Sequence, residues 1–269
     1  MDLLIGIVYS TADIASTNIA KAIIERHGFS EHGGIWELGN IHVIRTESRL
    51  VEADFLDELH AEVLVMLSKH SSAAGIGAFT THPTGNWGKE AKLGGKPKRL
   101  SVAAPVQMLE VLKSISKIGA EGMQAVYEAT HHGPLLKTPS LFVELGGNSA
   151  VVENAKLAEK EAAAIMEAIG TFGNEEEYSK IAIGIGGTHY PSKFSRLAVE
   201  KGYAFAHIML KYAIFNQDGS DNADMLEQAV EMSSKRPEVA VIEWKSINAA
   251  TRNIITAKLE KMGMPYEKV

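Results

Sequence analysis

The chain contains no cysteine. Disulfides, thiolate nucleophiles and cysteine-ligated zinc are excluded together, so any metal must be held by histidine, aspartate, glutamate or water. No apolar run has the length that crosses a bilayer, and Met1-Asp2-Leu3-Leu4 enters a strand-like segment without a basic signal-peptide start. Those absences predict a cytoplasmic protein with no membrane partner. Excess positive charge is missing too, since the formal net charge is −6. Broad wrapping of a nucleic-acid duplex is disfavoured, because it depends on many lysine and arginine contacts to phosphate. There is no Gly-x-Ser-x-Gly elbow, no phosphate-binding lysine loop, no His-Glu-x-x-His helix, no internal repeat and no low-complexity segment. Gly184-Ile185-Gly186 begins like a dinucleotide fingerprint, but His189 stands where the third glycine would fall.

What is present is a globular chain of 269 residues, 45% hydrophobic, enough for a sizeable core. Apolar runs of strand length occur at Leu3–Tyr9, Ile41–Thr46, Glu62–Leu67, Gly75–Thr81, Pro139–Leu145, Ile181–Ile185, Tyr203–Ile214 and Val239–Trp244. Met123–Thr130 suits a strand or a helix, and the Gly133-Pro134 stop favours the strand. Helical periodicity fills the intervals after Ser10-Thr11-Ala12-Asp13, from Pro105 to Ile118, from Val152 to Ile169, from Ser192 to Lys201, from Asp221 to Ser234 and from Asn248 to Met262. Phe55–Leu59 reads as a short helix. This alternation predicts an α/β fold with a mostly parallel or mixed sheet and helices on both faces, a single domain over 1–269 or two intimately packed lobes.

Ten histidines carry the chemical interest. His70, His82, His131, His132 and His189 each follow an apolar run and sit beside Gly, Pro, Ser or Thr, whereas His27, His32, His42 and His60 lack that context. If the runs are strands of one parallel sheet, their carboxyl ends meet at one edge, where ligands of open α/β sheets bind. Neutral imidazoles with a carboxylate such as Glu144 or Asp13 suit zinc, which lowers the pKa of bound water to about 7; the alternative is a metal-free polar site. A basic segment, Lys89 to Arg99, is either a solvated loop or a phosphate contact through Lys96, Lys98 and Arg99.

Six segments in order resemble one family over essentially the whole chain. They are Ser10-Thr11-Ala12-Asp13-Ile14-Ala15-Ser16, Leu67-Ser68-Lys69-His70-Ser71-Ser72, Phe79-Thr80-Thr81-His82-Pro83-Thr84-Gly85-Asn86, Glu128-Ala129-Thr130-His131-His132-Gly133-Pro134, Glu144-Leu145-Gly146 and Gly186-Gly187-Thr188-His189-Tyr190-Pro191. The series resembles the archaeal and plant type of D-aminoacyl-tRNA deacylase. The resemblance implies a monomeric enzyme, similar in fold to phosphorylase/hydrolase-like and peptidyl-tRNA hydrolase proteins, with two zinc ions per subunit. It would hydrolyse the ester between a D-amino acid and the acceptor end of tRNA. His82, His131, His132, His189 and Glu144 are then expected to bind metal and activate water, with Lys69 or His70 assisting the oxyanion or the 3′ terminus. Ser10, Asp13, Ser71, Thr81 and Asn86 are expected at the substrate. Competing readings are a zinc-dependent peptidase or amidase, and a noncatalytic protein that binds the tRNA end and carries structural zinc.

Overall fold

The computed structural model of the chain describes residues 3–71, 75–173 and 178–269. Strands β1 (Ile5–Ser10), β2 (Ser30–His32), β3 (Ile35–Leu38), β4 (Ile41–Thr46), β5 (Val63–Ser71), β6 (Gly77–His82), β7 (Gly85–Asn86), β8 (Arg99–Leu100), β9 (Met123–Tyr127), β10 (Ser140–Gly147), β11 (Lys180–Ile185), β12 (Tyr203–Met209), β13 (Val239–Ile242) and β14 (Tyr266–Lys268) are interspersed with helices. The helices are α1 (Ile14–His27), α2 (Pro105–Ile115), α3 (Ser149–Val152), α4 (Ala155–Ile169), α5 (Ser192–Lys201), α6 (Met225–Glu231) and α7 (Ala249–Lys261).

The strands form an eight-stranded sheet, β2-β3-β4-β1-β5-β10-β6-β9, a four-stranded sheet, β12-β11-β13-β14, and the small β7-β8 pair. The large sheet is mixed. Strands β4, β1, β5 and β10 run parallel, β6 pairs antiparallel with β10, and β9 runs parallel to β6. The expectation of one parallel sheet with a shared carboxyl edge is therefore corrected. His82 ends β6 opposite Phe142, inside β10, and His189 follows a strand of the other sheet.

Side-chain alternation divides the large sheet into two unlike faces. Ile7, Val65, Leu67, Val143 and Leu145 join the main core with residues of α1, α2 and α4, such as Ile19, Leu109 and Ile165. Val8, Leu64, Met66 and Phe142 point the other way, against Leu50, Ala53, Leu56 and Leu136 of 3-10 turns and a loop. That thinly covered face carries the site. The small sheet has helices on both sides: Phe194 of α5 packs near Phe205 of β12 (ring centroids 5.1 Å) on one, and Leu226, Ile255 and Leu259 of α6 and α7 share a core cluster with Ile183, Ala240 and Ile242 on the other. One core cluster draws residues from both sheets, with α2 in the same cluster.

Several elements differ from expectation for local reasons. The hairpin β2-β3 turns on Gly33 and Gly34, both with positive φ (61° and 89°), the conformation that glycine adopts without steric cost. The long helix expected from Val152 divides at Asn154, whose side chain accepts from Lys156 N and Leu157 N and so starts α4 afresh. The strand expected to run to Ile214 ends at Met209, and β5 continues through His70, placing that imidazole on a strand rather than in a loop.

Candidate active site

Register determines which side chains meet. Glu144 on β10 lies between Ser68 of β5 and Thr80 of β6, so Glu144, Ser68, His70, Thr80 and His82 project from one face of the sheet. Thr81 alternates to the opposite face and does not share this site. Glu128, His131 and His132 come from the segment after β9, which crosses towards the small sheet. There Ala129 N donates to His189 O (3.0 Å), and Thr130 N donates to Ile208 O (3.0 Å).

The segment that carries the adjacent histidines is held by many short contacts. Trp87 Nε1 donates to Thr130 O (3.0 Å), and Gly85 N donates to His132 O (2.7 Å). Thr84 and Ser101 hydroxyls both donate to Pro134 O (2.9 and 2.8 Å). Buried His207 adds a strut from the small sheet. Its Nε2–H donates to the carbonyls of Met232 (2.9 Å) and Ser101 (3.1 Å), so its Nδ1 accepts from Thr130 Oγ1 (3.2 Å). Burial, which outweighs those backbone contacts, pulls the His207 pKa down to about 4 and keeps it neutral. His132 itself has φ 42°, an uncommon conformation for a non-glycine residue that the surrounding contacts must maintain. Gly133 is crowded: an added Cβ would lie 2.3 Å from Gly95 N and 2.4 Å from Val51 O.

Imidazoles form a continuous cluster. Ring centroids lie 4.2 Å apart for His131–His132, 4.3 Å for His82–His131, 4.8 Å for His131–His189 and 5.1 Å for His70–His189. His82 also stacks on Phe142 at 5.2 Å. In three of these rings Nδ1 is tied to a carbonyl oxygen: His82 to Pro83 (3.1 Å), His131 to Ala129 (2.8 Å) and His132 to Gly133 (2.6 Å). A carbonyl only accepts, so Nδ1 carries a hydrogen in each, and Nε2 of His131 and His132 is left as a lone-pair donor. Burial pulls the pKa of His82 down but Glu144 outweighs it and raises it, so its Nε2 becomes a lone-pair donor when a cation displaces that proton.

Two buried carboxylates complete the cluster. Glu128 Oε2 lies 2.8 Å from His189 Nε2, 3.1 Å from His70 Nδ1 and 3.7 Å from His131 Nε2. Glu144 lies 3.4 Å from His70 Nδ1 and 3.6 Å from His82 Nε2. Despite these approaches, neither oxygen of Glu128 makes a well-aligned hydrogen bond, and nor does His82 Nε2, among the described residues. Burial opposes ionisation of both glutamates, but neighbouring histidines, His189 and His70 around Glu128 and His70 and His82 around Glu144, outweigh it and lower both pKa values. Burial likewise pulls His70 down, yet Glu128 and Glu144 together raise it to about 10. Burial and the positive charge of His82 depress His131 and His132, the latter to about 4.

Three overlapping groups could hold a cation: His70, Glu128, His131 and His189; His82, His131 and His132; and His82, Glu128 and Glu144. Within each, the ligand atoms lie within 4.8 Å of one another. Nitrogen and carboxylate oxygen donors without thiolate suit zinc, and the orphaned, buried oxygens of Glu128 are what a bound cation would satisfy. The cluster opens into a cleft of about 710 Å³ whose wall includes Val51, Lys69, Ile76, Leu93, Thr188 and Tyr190.

The remaining expected residues lie around this cleft or away from it. Asp13 caps α1 through Ser16 N (3.1 Å) and accepts from Lys69 N (2.8 Å), a rim position away from the imidazoles. Ser10 Oγ donates to Ser48 O (2.8 Å), and Asn86 Nδ2 donates to Gly94 O (3.0 Å). The side chain of Ser71 and all of Ser72 lie outside the described residues. In the basic segment Lys98 pairs with Asp224 (3.2 Å), while Lys96 and Arg99 are exposed. Its Leu93-Gly94-Gly95 portion packs on the histidine segment, with Gly133 N donating to Leu93 O (2.9 Å). Glu128 and Arg49 were not singled out in the sequence. Glu128 stands three residues before His131, but only the fold reveals its burial.

An α/β fold that gathers imidazoles and buried carboxylates at an open cleft has the layout of a hydrolytic enzyme. Residues 57–267 match the family model described as D-aminoacyl-tRNA deacylase. Relatives of that name include those of Pyrococcus furiosus, 33% identical over 97% of this chain and 98% of the relative, and Ignicoccus hospitalis, 33% identical over 97% of each. The crystal structure of the conserved protein of unknown function AF0625 superposes with a TM-score of 0.87 at 28% identity, covering 100% of this chain and 96% of that one. The chain belongs to the D-aminoacyl-tRNA deacylase family.

Proposed function

We propose that the chain hydrolyses the ester bond of D-aminoacyl-tRNA at the imidazole–carboxylate cluster, with two zinc ions held there, as a cytoplasmic monomer. The two sheets are read as lobes of one catalytic domain because a single core cluster spans them. The observation that carries the site is the set of three rings, His82, His131 and His132, each anchored through Nδ1 beside Glu128, whose carboxylate oxygens lack hydrogen bonds among the described residues. His82, His131 and His132 would form one ligand set, and Glu128 with His189 the core of the other, with Glu144 beside His82. His131 offers only its Nε2 and so serves one ion, and His70 stays outside both sets as a proton carrier. Zinc bound there would supply Lewis acidity, lowering the pKa of water and polarising the ester carbonyl.

The chain's own groups account for proton movement. Glu144, between His70 and His82, is placed to accept a proton from an attacking water. His70 holds a proton at Nδ1 between Glu128 and Glu144; as an imidazolium it carries a second N–H at Nε2 that can donate to the departing ribose oxygen. An aminoacyl ester is an activated acyl group, so no protein nucleophile is required. The pair of variants His131→Ala and His132→Ala tests the ligand assignment: each should lose bound zinc and most activity while keeping its circular dichroism. Unchanged zinc by elemental analysis in both variants would contradict it.

A further inference from the structure

A second cavity, of about 380 Å³, adjoins the catalytic cleft. It is lined by Ser10, Ala12, Asp13 and Leu50, and it shares Arg49, Val51, Ser68 and Lys69 with the cleft. The shared residues form the neck between the two spaces, and two of them are cations. Among the described residues Arg49 pairs with Glu52 (3.1 Å), and both side chains are more than half exposed, so that pair holds the guanidinium weakly. Lys69 is fixed at the neck by its backbone N–H, which donates to Asp13 Oδ2 (2.8 Å), and its exposed ammonium makes no ion pair among the described residues.

The chemistry of the substrate gives this neck a direction. An aminoacyl ester on tRNA has an acyl side that bears the amino-acid side chain, and an alkoxy side that bears ribose, base and phosphate. Apolar wall residues Ile76 and Leu93 line the cleft only, not the second cavity. They suit the acyl side. Cations stand where the cleft continues into the second cavity, and anionic phosphate belongs with the alkoxy side. Polar groups of Asp13 and Ser68 line the cavity and suit a ribose hydroxyl or an adenine amino group.

Building on the deacylase reading, we propose that this second cavity receives the 3′-terminal adenosine of tRNA, with Arg49 and Lys69 gripping the phosphate on its 5′ side. Arg49 is then a binding residue that recruits substrate without touching the reacting carbonyl.

Adenosine 5′-monophosphate is the probe. It should compete with D-Tyr-tRNA in steady-state hydrolysis, and calorimetry should detect its binding directly. Ala12 is exposed and lines the cavity, so Ala12→Trp fills the space without changing charge. That variant should bind the nucleotide about tenfold more weakly or worse, and Arg49→Glu should raise the KM for D-Tyr-tRNA by about tenfold or more. Uridine 5′-monophosphate should bind more weakly than the adenine nucleotide. Nucleotide affinity unchanged in Ala12→Trp, or KM unchanged in Arg49→Glu, overturns the subsite while leaving hydrolysis by the wild-type enzyme intact. Failure of the wild-type enzyme to hydrolyse D-Tyr-tRNA would instead sink the deacylase reading, and the calorimetric comparison would still report on the cavity.

Discussion

At the scale of single residues, Glu128 has two carboxylate oxygens buried without an aligned hydrogen bond among the described residues, a cost that the neighbouring histidines offset only electrostatically. A cation held by Glu128 and His189 would offset that cost, which ties the stability of the metal-free fold to the capacity of the site to bind metal. Gly133 is the second residue on which the site depends. A Cβ there would meet the backbone of Gly95 and Val51 below 2.5 Å, and neither is a flexible side-chain end. Gly133→Ala should therefore displace His132, cost about 1–3 kcal/mol of stability and lower kcat by about a hundredfold. Thermal denaturation and D-Tyr-tRNA hydrolysis check this, and wild-type behaviour in both assays would contradict the packing argument.

At the scale of elements, α4 carries a liability of its own. Glu161 is fully buried, and its carboxyl makes no hydrogen bond among the described residues. Burial, with a smaller push from Glu144, raises its pKa well above the ordinary carboxylate range. The sign follows: the folded state retains a proton that the unfolded state releases, so stability falls as pH rises above the unfolded value of 4.5, until the folded pKa is passed. Each pH unit crossed in that window costs about 1.4 kcal/mol. Glu161→Gln removes the dependence, so its stability advantage should be small near pH 4.5 and grow towards neutrality. A Tm difference that is flat with pH would show that the group is already compensated.

Most strands and helices were legible as runs and periodicities, because burial on one or two faces leaves a pattern in the sequence. The division of the strands into two sheets was not, nor was the reversal of β6, since pairing direction depends on contacts between distant segments. Histidines were legible as a group because each follows an apolar run, yet their meeting place is a sheet face rather than an edge. Glu128 was inconspicuous, as a carboxylate inside a mixed segment is usually solvated. Gly94 and Gly95 lie inside the basic segment, and only the approach of Val51 and Gly133 shows their packing role.

At the scale of the whole molecule, recognition of tRNA by a chain of net charge −6 must rely on local cations. Lys96 and Arg99 are exposed, and Lys98 makes a solvent-facing pair with Asp224, beside a loop that packs on the site. Neutralising all three should raise the KM for tRNA and flatten its salt dependence by about 0.7–0.9 in log–log slope for each phosphate that these side chains neutralise. An unaltered slope would leave this loop with a packing role alone. The most direct measurement of the central claim compares hydrolysis of D-Tyr-tRNA and L-Tyr-tRNA by the purified protein, before and after chelation and after zinc is restored. The two esters have nearly equal intrinsic reactivity, so any preference must come from the site. Release from D-Tyr-tRNA should be much faster, should be lost on chelation and should recover with zinc. Equal rates on both enantiomers, or a D-specific rate indifferent to chelator, would contradict the claim.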